Sequence, residues 1–390
     1  MGYITRLTEQ NGYDSPAWIM NLAKLNFNLR GHSFSFLSNK SESFNRLANL
    51  SCIDPSELTL LTYQPLGNKY DNFYLFFETP VHKDFIRPGH PKICPQCLSD
   101  AAYCRRIWEF ILVTVCPIHK CQLIDECPNC NQRITWGRSR LTTCQCKFDW
   151  RDSLVLTIPE SESRLTRLVF QMCGLLSNGE KPFLPQHTPL LALGLNDLTL
   201  AIIFIAGQQQ GLSLSTIHHL IPRRKNKDFH KLFTDAFYIF ENWPNNYYRF
   251  LDWCSAQKRN IPPVYDRLQS VLYKDFGKLY IGIHTTLSSS QFDFMRKAFV
   301  NYLLSEWKGV DISAFTRNKD KGRQSLIRYV SKSDAKRLLD VDDNHINYHI
   351  EIGKLKTKVR SKGMKRLIFV DVADIARLLR EASIRNLDRQ

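Results

Sequence analysis

Apolar residues recur at helical spacing along most of the chain. Near the start, Tyr3-Ile4-Thr5-Arg6-Leu7 and Trp18-Ile19-Met20-Asn21-Leu22-Ala23 predict two helices, separated by a turn at Asn11-Gly12-Tyr13. A third helix is predicted over residues 43–50, ending near Ser51. Asp54-Pro55 then opens a fourth with a capping side chain and a proline at its first position. Residues 1–90 thus form a helical N-terminal region, and its second helical pair has the layout of a helix-turn-helix as well as of a plain packing unit. Residues 153–315 form a helical middle domain, clearest over 194–209 and 291–307. Phe292, Phe299, Leu303 and Trp307 share one stripe of the latter, which is a core pattern.

Toward the C-terminus the period changes. Ser331-x-x-Asp334 predicts a helix start, with Ala335, Leu338 and Leu339 inward, and Asp340-Val341-Asp342 predicts a turn. A second helix runs from about Asp343 to Ile352 and ends at Gly353. Its Ile346 and Ile350 face inward, leaving Asn344, His345, Asn347, Tyr348 and Glu351 outward. Lys354, Lys356, Lys358, Arg360 and Lys362 then alternate with Leu355, Thr357 and Val359, which is a strand with one basic face. Ser361-Lys362-Gly363 turns it back through Arg366 to Val370, and Asp371 caps a last helix containing Ile375, Leu378 and Leu379. Helix, turn, helix, basic hairpin, helix over residues 316–390 resembles a winged helix-turn-helix of the excisionase or MerR type.

Neither period dominates residues 91–152, entered through Pro88-Gly89-His90-Pro91. Cysteines organise this stretch instead: Cys94-x2-Cys97, Cys116-x2-His119, Cys127-x2-Cys130 and Cys144-x-Cys146. Each pair is half of a tetrahedral site, because a short gap aims two donors at one ion while free backbone N–H groups steady the thiolates. Four pairs predict two zinc ions, bound by thiolate and imidazole ligands that suit a borderline-soft cation. The simplest pairing in chain order is Cys94, Cys97, Cys116 and His119 on one ion and Cys127, Cys130, Cys144 and Cys146 on the other; an interleaved pairing also fits the spacing. Cys104 and Cys121 are substitute ligands by proximity, while Cys52, Cys173 and Cys254 are expected in cores. With four protein ligands per ion, both zincs are structural. Trp108, Phe110, Ile111 and Val113 are expected to pack around them.

Composition narrows the function. Net charge is +16 and the sequence pI about 9.3, which favours a polyanionic partner such as nucleic acid. The 76 residues from Phe315 carry 19 Lys plus Arg against 10 Asp plus Glu, so over half of the surplus sits in a fifth of the chain. A compact basic run, Arg223-Arg224-Lys225-Asn226-Lys227, is a second candidate for phosphate contact. No secretory signal is apparent, and the most apolar stretch, 190–207, is too short to span a bilayer comfortably. A cytoplasmic protein with no membrane partner is expected. The sequence has no P-loop, no nucleophile elbow and no His-Glu-x-x-His, so a non-enzymatic chain is expected as well.

The residues around the cysteines carry a resemblance. Cys94-Pro95-Gln96-Cys97, Arg106-Ile107-Trp108, Val115-Cys116-Pro117-Ile118-His119 and Cys127-Pro128-Asn129-Cys130 resemble the TniQ/TnsD family, whose members select target sites for multi-protein cut-and-paste transposons. Tyr3-Ile4-x-Arg6-Leu7 with Asn11-Gly12 resembles the family's opening helix, and Leu58-Thr59-Leu60-Leu61-Thr62 the segment before its zinc module. Asn242-Trp243-Pro244 with Phe250-Leu251 resembles a later element. The likeness covers about the first 150 residues well and the middle loosely. A Glu-Ser-Leu-like segment usually precedes the opening helix, which points to a late or truncated start here.

The fold expected is mainly α: helical N-terminal region, tandem zinc-finger module, helical middle domain and C-terminal winged helix. The resemblance implies a target-site selector that binds double-stranded DNA and recruits the transposon's AAA+ ATPase (TnsC-like). It also leaves open an adaptor that joins a guide-RNA-directed CRISPR Cascade complex to the transposition machinery. A zinc-dependent transcription regulator would share the winged helix.

Overall fold

The computed structural model of the chain describes residues 1–25, 41–67, 72–89, 91–176, 188–212, 224–259, 271–307, 329–362 and 365–387. They fall into two compact units: Met1–Gln186 with Leu193–Tyr238, and His187–Ala192 with Ile239–Gln390. Helices dominate both, as the amphipathic patterning predicts.

The first unit opens with α1 (Gly2–Gln10), α2 (Ala17–Leu22), α3 (Ser41–Ser51) and α4 (Pro55–Leu60) around Ile4, Ile19, Met20, Ala23, Leu47, Ala48 and Leu58. The expected turn is present, with Gly12 at φ +69°, a left-handed conformation that costs glycine little. Asp54 caps α4 by accepting from the Ser56 N–H, and Pro55 supplies a first helical residue whose missing N–H is not needed.

The helical reading of 1–90 misses a sheet. Strands β1 (Gln64–Pro65), β2 (Phe73–Phe76) and β3 (Thr79–His82) form an antiparallel meander. Phe77 and Glu78, both at positive φ, make the two-residue turn between β2 and β3 that matches strand twist. Phe76 stacks between Tyr63 and Phe110, with centroid distances of 6.0 and 5.1 Å, and so anchors the sheet to the cysteine-rich segment. Helices α5 (Pro95–Asp100), α6 (Glu160–Met172), α7 (Leu195–Gln209) and α8 (Asn226–Tyr238) complete this unit. Helix α7 is apolar all round and buried along its length, packing against α8 and β3. Among the described residues no helix is long and apolar enough to cross a membrane.

The second unit holds α9 (Asn245–Arg259), α10 (Val271–Phe276), α11 (Lys278–Thr285) and α12 (Asp293–Ser305). Phe292, Phe299, Leu303 and Trp307 are all buried, as the stripe predicts. The Trp307 indole and the Ser255 hydroxyl donate to one buried carboxylate, Asp275, at 2.9 and 3.2 Å. The chain then forms β6 (Tyr329–Ser331), α13 (Lys332–Leu339), α14 (Asp343–Glu351), β7 (Thr357–Lys362), β8 (Lys365–Asp371) and α15 (Val372–Leu387). The expected hairpin is thus part of a three-stranded antiparallel sheet ordered β6-β8-β7. Helix α15 packs on α12 and α13.

Arg337 of α13 lies over the Tyr280 ring of α11 at 5.3 Å, and His284 meets the same ring edge-on. Burial, with Arg337 and Arg296 nearby, lowers the His284 pKa to about 4. The unfolded chain would take up this proton near the ordinary value of 6.5, so stability from His284 is present above that pH and is lost as pH falls toward 4. Urea unfolding of the second unit should show it: moving from pH 7 to pH 5 costs the native chain about 1–2 kcal/mol that a His284→Gln variant does not lose.

Candidate metal centres and nucleic-acid interface

The cysteine-rich segment contains little regular structure, and its half-sites are turns. Cys94 caps α5 and accepts from the Cys97 N–H at 3.4 Å, while Pro95 occupies the helix's first position. Cys116 ends β4 (Val115–Cys116), and a tight turn through His119 and Lys120 leads into β5 (Cys121–Gln122). Lys120, Asn131 and Lys147 each follow the last ligand of a half-site, and each has positive φ. A left-handed residue there reverses the chain so that both donors face one point. Backbone N–H groups steady the sulfurs as the spacing predicts: His119 donates to Cys116, Gln132 to Cys130 and Phe148 to Cys146.

These turns assemble two four-donor clusters, Cys94/Cys97/Cys116/His119 and Cys127/Cys130/Cys144/Cys146. The pairing in chain order is the one found. In the first, Cys97 and Cys116 sulfurs are 3.6 Å apart, and His119 Nδ1 lies 3.5, 3.3 and 3.7 Å from the sulfurs of Cys94, Cys97 and Cys116. In the second, Cys127–Cys146 and Cys130–Cys144 are each 3.7 Å. Zinc–sulfur bonds of about 2.3 Å in a tetrahedron put sulfurs roughly 3.8 Å apart, so both clusters fit zinc. No water position is left, which defines structural centres.

The surroundings agree. His119 Nε2 lies 3.1 Å from Asp100 Oδ2, an arrangement that orients the ring and leaves Nδ1 for the metal. The Asn129 amide donates to Cys146, and with the Phe148 N–H it brings that thiol down to about 6. Neither helper is evident from ligand spacing, although Asp100 lies one helical turn past Cys97. The two centres differ in depth. Cys94, Cys97 and Cys116 are buried, whereas Cys146 is exposed and Cys130 and Cys144 half-buried. Trp108, Phe110, Ile111 and Val113 are buried around this segment as expected.

Polar contacts lock the segment into the first unit. Buried Asn226 of α8 donates its amide to the Thr114 and Leu123 carbonyls at 2.8 and 2.7 Å, and its N–H to Asp125 at 2.9 Å. Lys92, almost fully buried, donates to the carbonyls of Phe110 and Val113, and burial holds its pKa well below the usual lysine range. His230 lies 3.0 Å from both Thr114 Oγ1 and Glu162. Of the other cysteines, Cys173 and Cys254 are buried as expected, but Cys52 is exposed. At φ +51° it sits in the turn after α3, so the core assignment from residue type fails there. Cys104 accepts from Arg138 and belongs to neither cluster.

The C-terminal candidates lie on α14 and β7, except Lys354 and Lys356, which fall in the connection between them because the strand expected from Lys354 begins only at Thr357. Asn344, His345, Asn347 and Tyr348 are exposed and Ile346 is buried, matching the predicted faces, with Ile350 half-buried. His345 pairs with Asp342 at 2.9 Å, and Lys332 donates to Asn347. Lys356 and Lys358 are exposed, with the Lys358 ammonium 4.4 Å over the Tyr329 ring, while Lys354 is half-buried near Glu381. Val359 is exposed too, so the hairpin extends past the core formed by Leu355 and Val370. Arg360 and Lys362 lie on β7, their side chains outside the described residues, as is Arg223. In the other basic run, Lys225 pairs with Glu126 at 2.8 Å and the Arg224 carbonyl accepts from Arg87.

The described residues thus hold two four-donor clusters that fit structural zinc and a C-terminal helix followed by a hairpin. The TniQ family model matches residues 1–123, about a third of the chain, and supports the resemblance of this region to the transposition-associated TniQ/TnsD family. That match contains the whole first zinc cluster and ends before the second. No curated protein matches the chain in sequence.

The difference in depth predicts unequal consequences of ligand loss. A structural zinc is worth about 10 kcal/mol or more of apparent folding energy in small modules. Cys94→Ser should therefore unfold the first unit, whereas Cys146→Ser at the exposed centre should leave a folded chain with one zinc instead of two. Metal analysis beside circular dichroism checks both.

Proposed function

We propose that the chain is a non-enzymatic target-site selector of a multi-component cut-and-paste transposon. In this reading the zinc-stapled first unit is a rigid platform, the C-terminal residues grip duplex DNA, and the TniQ region recruits the transposon's AAA+ ATPase. One observation carries it: a TniQ region is joined in one chain to a helix presenting Asn344, His345, Asn347 and Tyr348, followed by exposed Lys356 and a hairpin presenting Lys358. Amide and aromatic side chains on such a helix suit base edges, and exposed lysines on a hairpin suit phosphate. Arg224 and Lys225 have a weaker claim, since Lys225 is already paired with Glu126.

The adaptor reading has its own support. Asp342 and Asp343 open the proposed reading helix, and carboxylates at that end oppose close approach of phosphate. A chain that grips DNA only generally would then depend on a guide-RNA complex for its address.

Binding of the purified zinc-loaded chain to duplex flanking the native insertion site, against scrambled competitor at near-physiological salt and without guide RNA, separates the two. A specificity ratio of about a thousand or more is expected of a direct selector; weak, strongly salt-dependent binding alone selects the adaptor. Replacing Lys356 and Lys358 by Gln should weaken binding to every sequence and flatten the salt dependence by roughly one to two in slope. Asn347→Ala with Tyr348→Ala should instead lose site preference while keeping general affinity.

A further inference from the structure

We propose that Cys121 is a fifth metal donor of the first centre and can take the place of His119, so that the ion is held by three cysteines and a histidine or by four cysteines. Cys121 is fully buried, and its sulfur lies 3.5 Å from that of Cys94. This falls within the 3.3–3.7 Å range of the contacts among the four assigned donors. Its sulfur also contacts that of Cys116. The cause is topological. Cys116 and Cys121 are directly paired across the β4–β5 ladder, so their side chains point to the same side. The turn between them, with Lys120 left-handed, pushes His119 in from the end of the hairpin. Cys94 and Cys121 are free thiols, and no disulfide uses either.

The five donors are not equivalent. Cys94, Cys97 and Cys116 form an inner, buried triad common to both arrangements. His119 is the outer member: its side chain is 19% exposed, its partner Asp100 is 60% exposed, and its neighbours Ile118 and Lys120 are exposed. It can therefore leave toward solvent while Asp100 keeps the freed imidazole engaged. Cys121 is fully buried beside Cys94 and lies outside the four-donor cluster, so its sulfur would swing in as His119 leaves. In the exchange the Nδ1–zinc bond breaks, a sulfur–zinc bond forms, and the Cys121 thiol proton passes to the released imidazole or to water. The ion's charge is unchanged, and no oxidant or reductant takes part.

The full chain loaded with Co2+ reports the ligand set directly, because charge-transfer absorption grows with the number of coordinated thiolates. His119→Ala should keep two metals per chain and gain thiolate charge-transfer intensity, while His119→Ala with Cys121→Ser should drop to one metal. Loss of a metal from the single variant, or retention without added thiolate absorption, overturns the proposal, since Cys121 then does not reach the ion. If His119→Ala fails to fold, the zinc-loaded Cys121→Ala chain carries the test in a chelator competition. Zinc loss from the first centre differing at least several-fold from the native chain supports a donor in exchange with His119, and equal rates mean a bystander thiol.

Discussion

Coordination at the first metal centre is the constraint on which the first unit rests. Around it the chain offers a six-residue helix and strands of two residues each, elements too short to persist on their own. An ion shared by Cys94, Cys97, Cys116 and His119 joins two such segments, and the hydrophobic filling of Trp108, Phe110, Ile111 and Val113 lies between them in sequence. Zinc thus does for this segment what a large core does for the helices. Hydrogen bonds from Asn226 and Lys92 then tie that segment to its surroundings, reaching the Leu123 and Val113 carbonyls and adding a second donor at Thr114 and Phe110, which already accept backbone N–H groups. A buried polar group left wholly unpaired would cost about 1–3 kcal/mol.

The same contacts change how the positive charge is understood. Arg87, Lys92 and Arg138 are buried in the first unit, Arg138 lying over the rings of Trp136 and Trp150. Lys225 is neutralised by Glu126. Several of the charges in the +16 surplus therefore serve packing and are not available to a polyanion. Lys356 and Lys358 are exposed, the first just before β7 and the second on it.

Local chemistry was legible in the sequence and distant chemistry was not. The Asp54-Pro55 start, the Ser331 cap on Asp334 and the Asp371 cap on Ala373 are decided within a few residues, and each is found. The zinc half-sites themselves follow from spacing; the chain-order pairing is the simplest of the pairings the spacing allows, and the fold is what selects it. The β1–β3 sheet escaped because Phe73-Tyr74-Leu75-Phe76 lacks the alternation that marks a strand, and its burial comes from Tyr63 and Phe110. The pairing of Lys225 with Glu126 spans 99 positions, and no local pattern encodes it. Cys121 is intermediate: its proximity to His119 is visible in the sequence, but its orientation depends on the β4–β5 register.

How the C-terminal helix would meet DNA is constrained by its own acidic start. Asp342 is engaged as a cap, accepting from the His345 N–H at 2.8 Å, and also pairs with the His345 ring; Asp343 is tied to Lys336 at 2.6 Å. Those contacts neutralise part of the charge but hold the carboxylates at the helix end, where a phosphate would otherwise find free N–H groups. A duplex lying on this helix would therefore be met by its middle turn, through Asn347 and Tyr348, and not by its N-terminus. Asn347 must exchange its Lys332 partner for a base edge, releasing an ammonium beside the backbone at the same step. Sequence preference and phosphate attraction would in that way be coupled through a single pair of side chains.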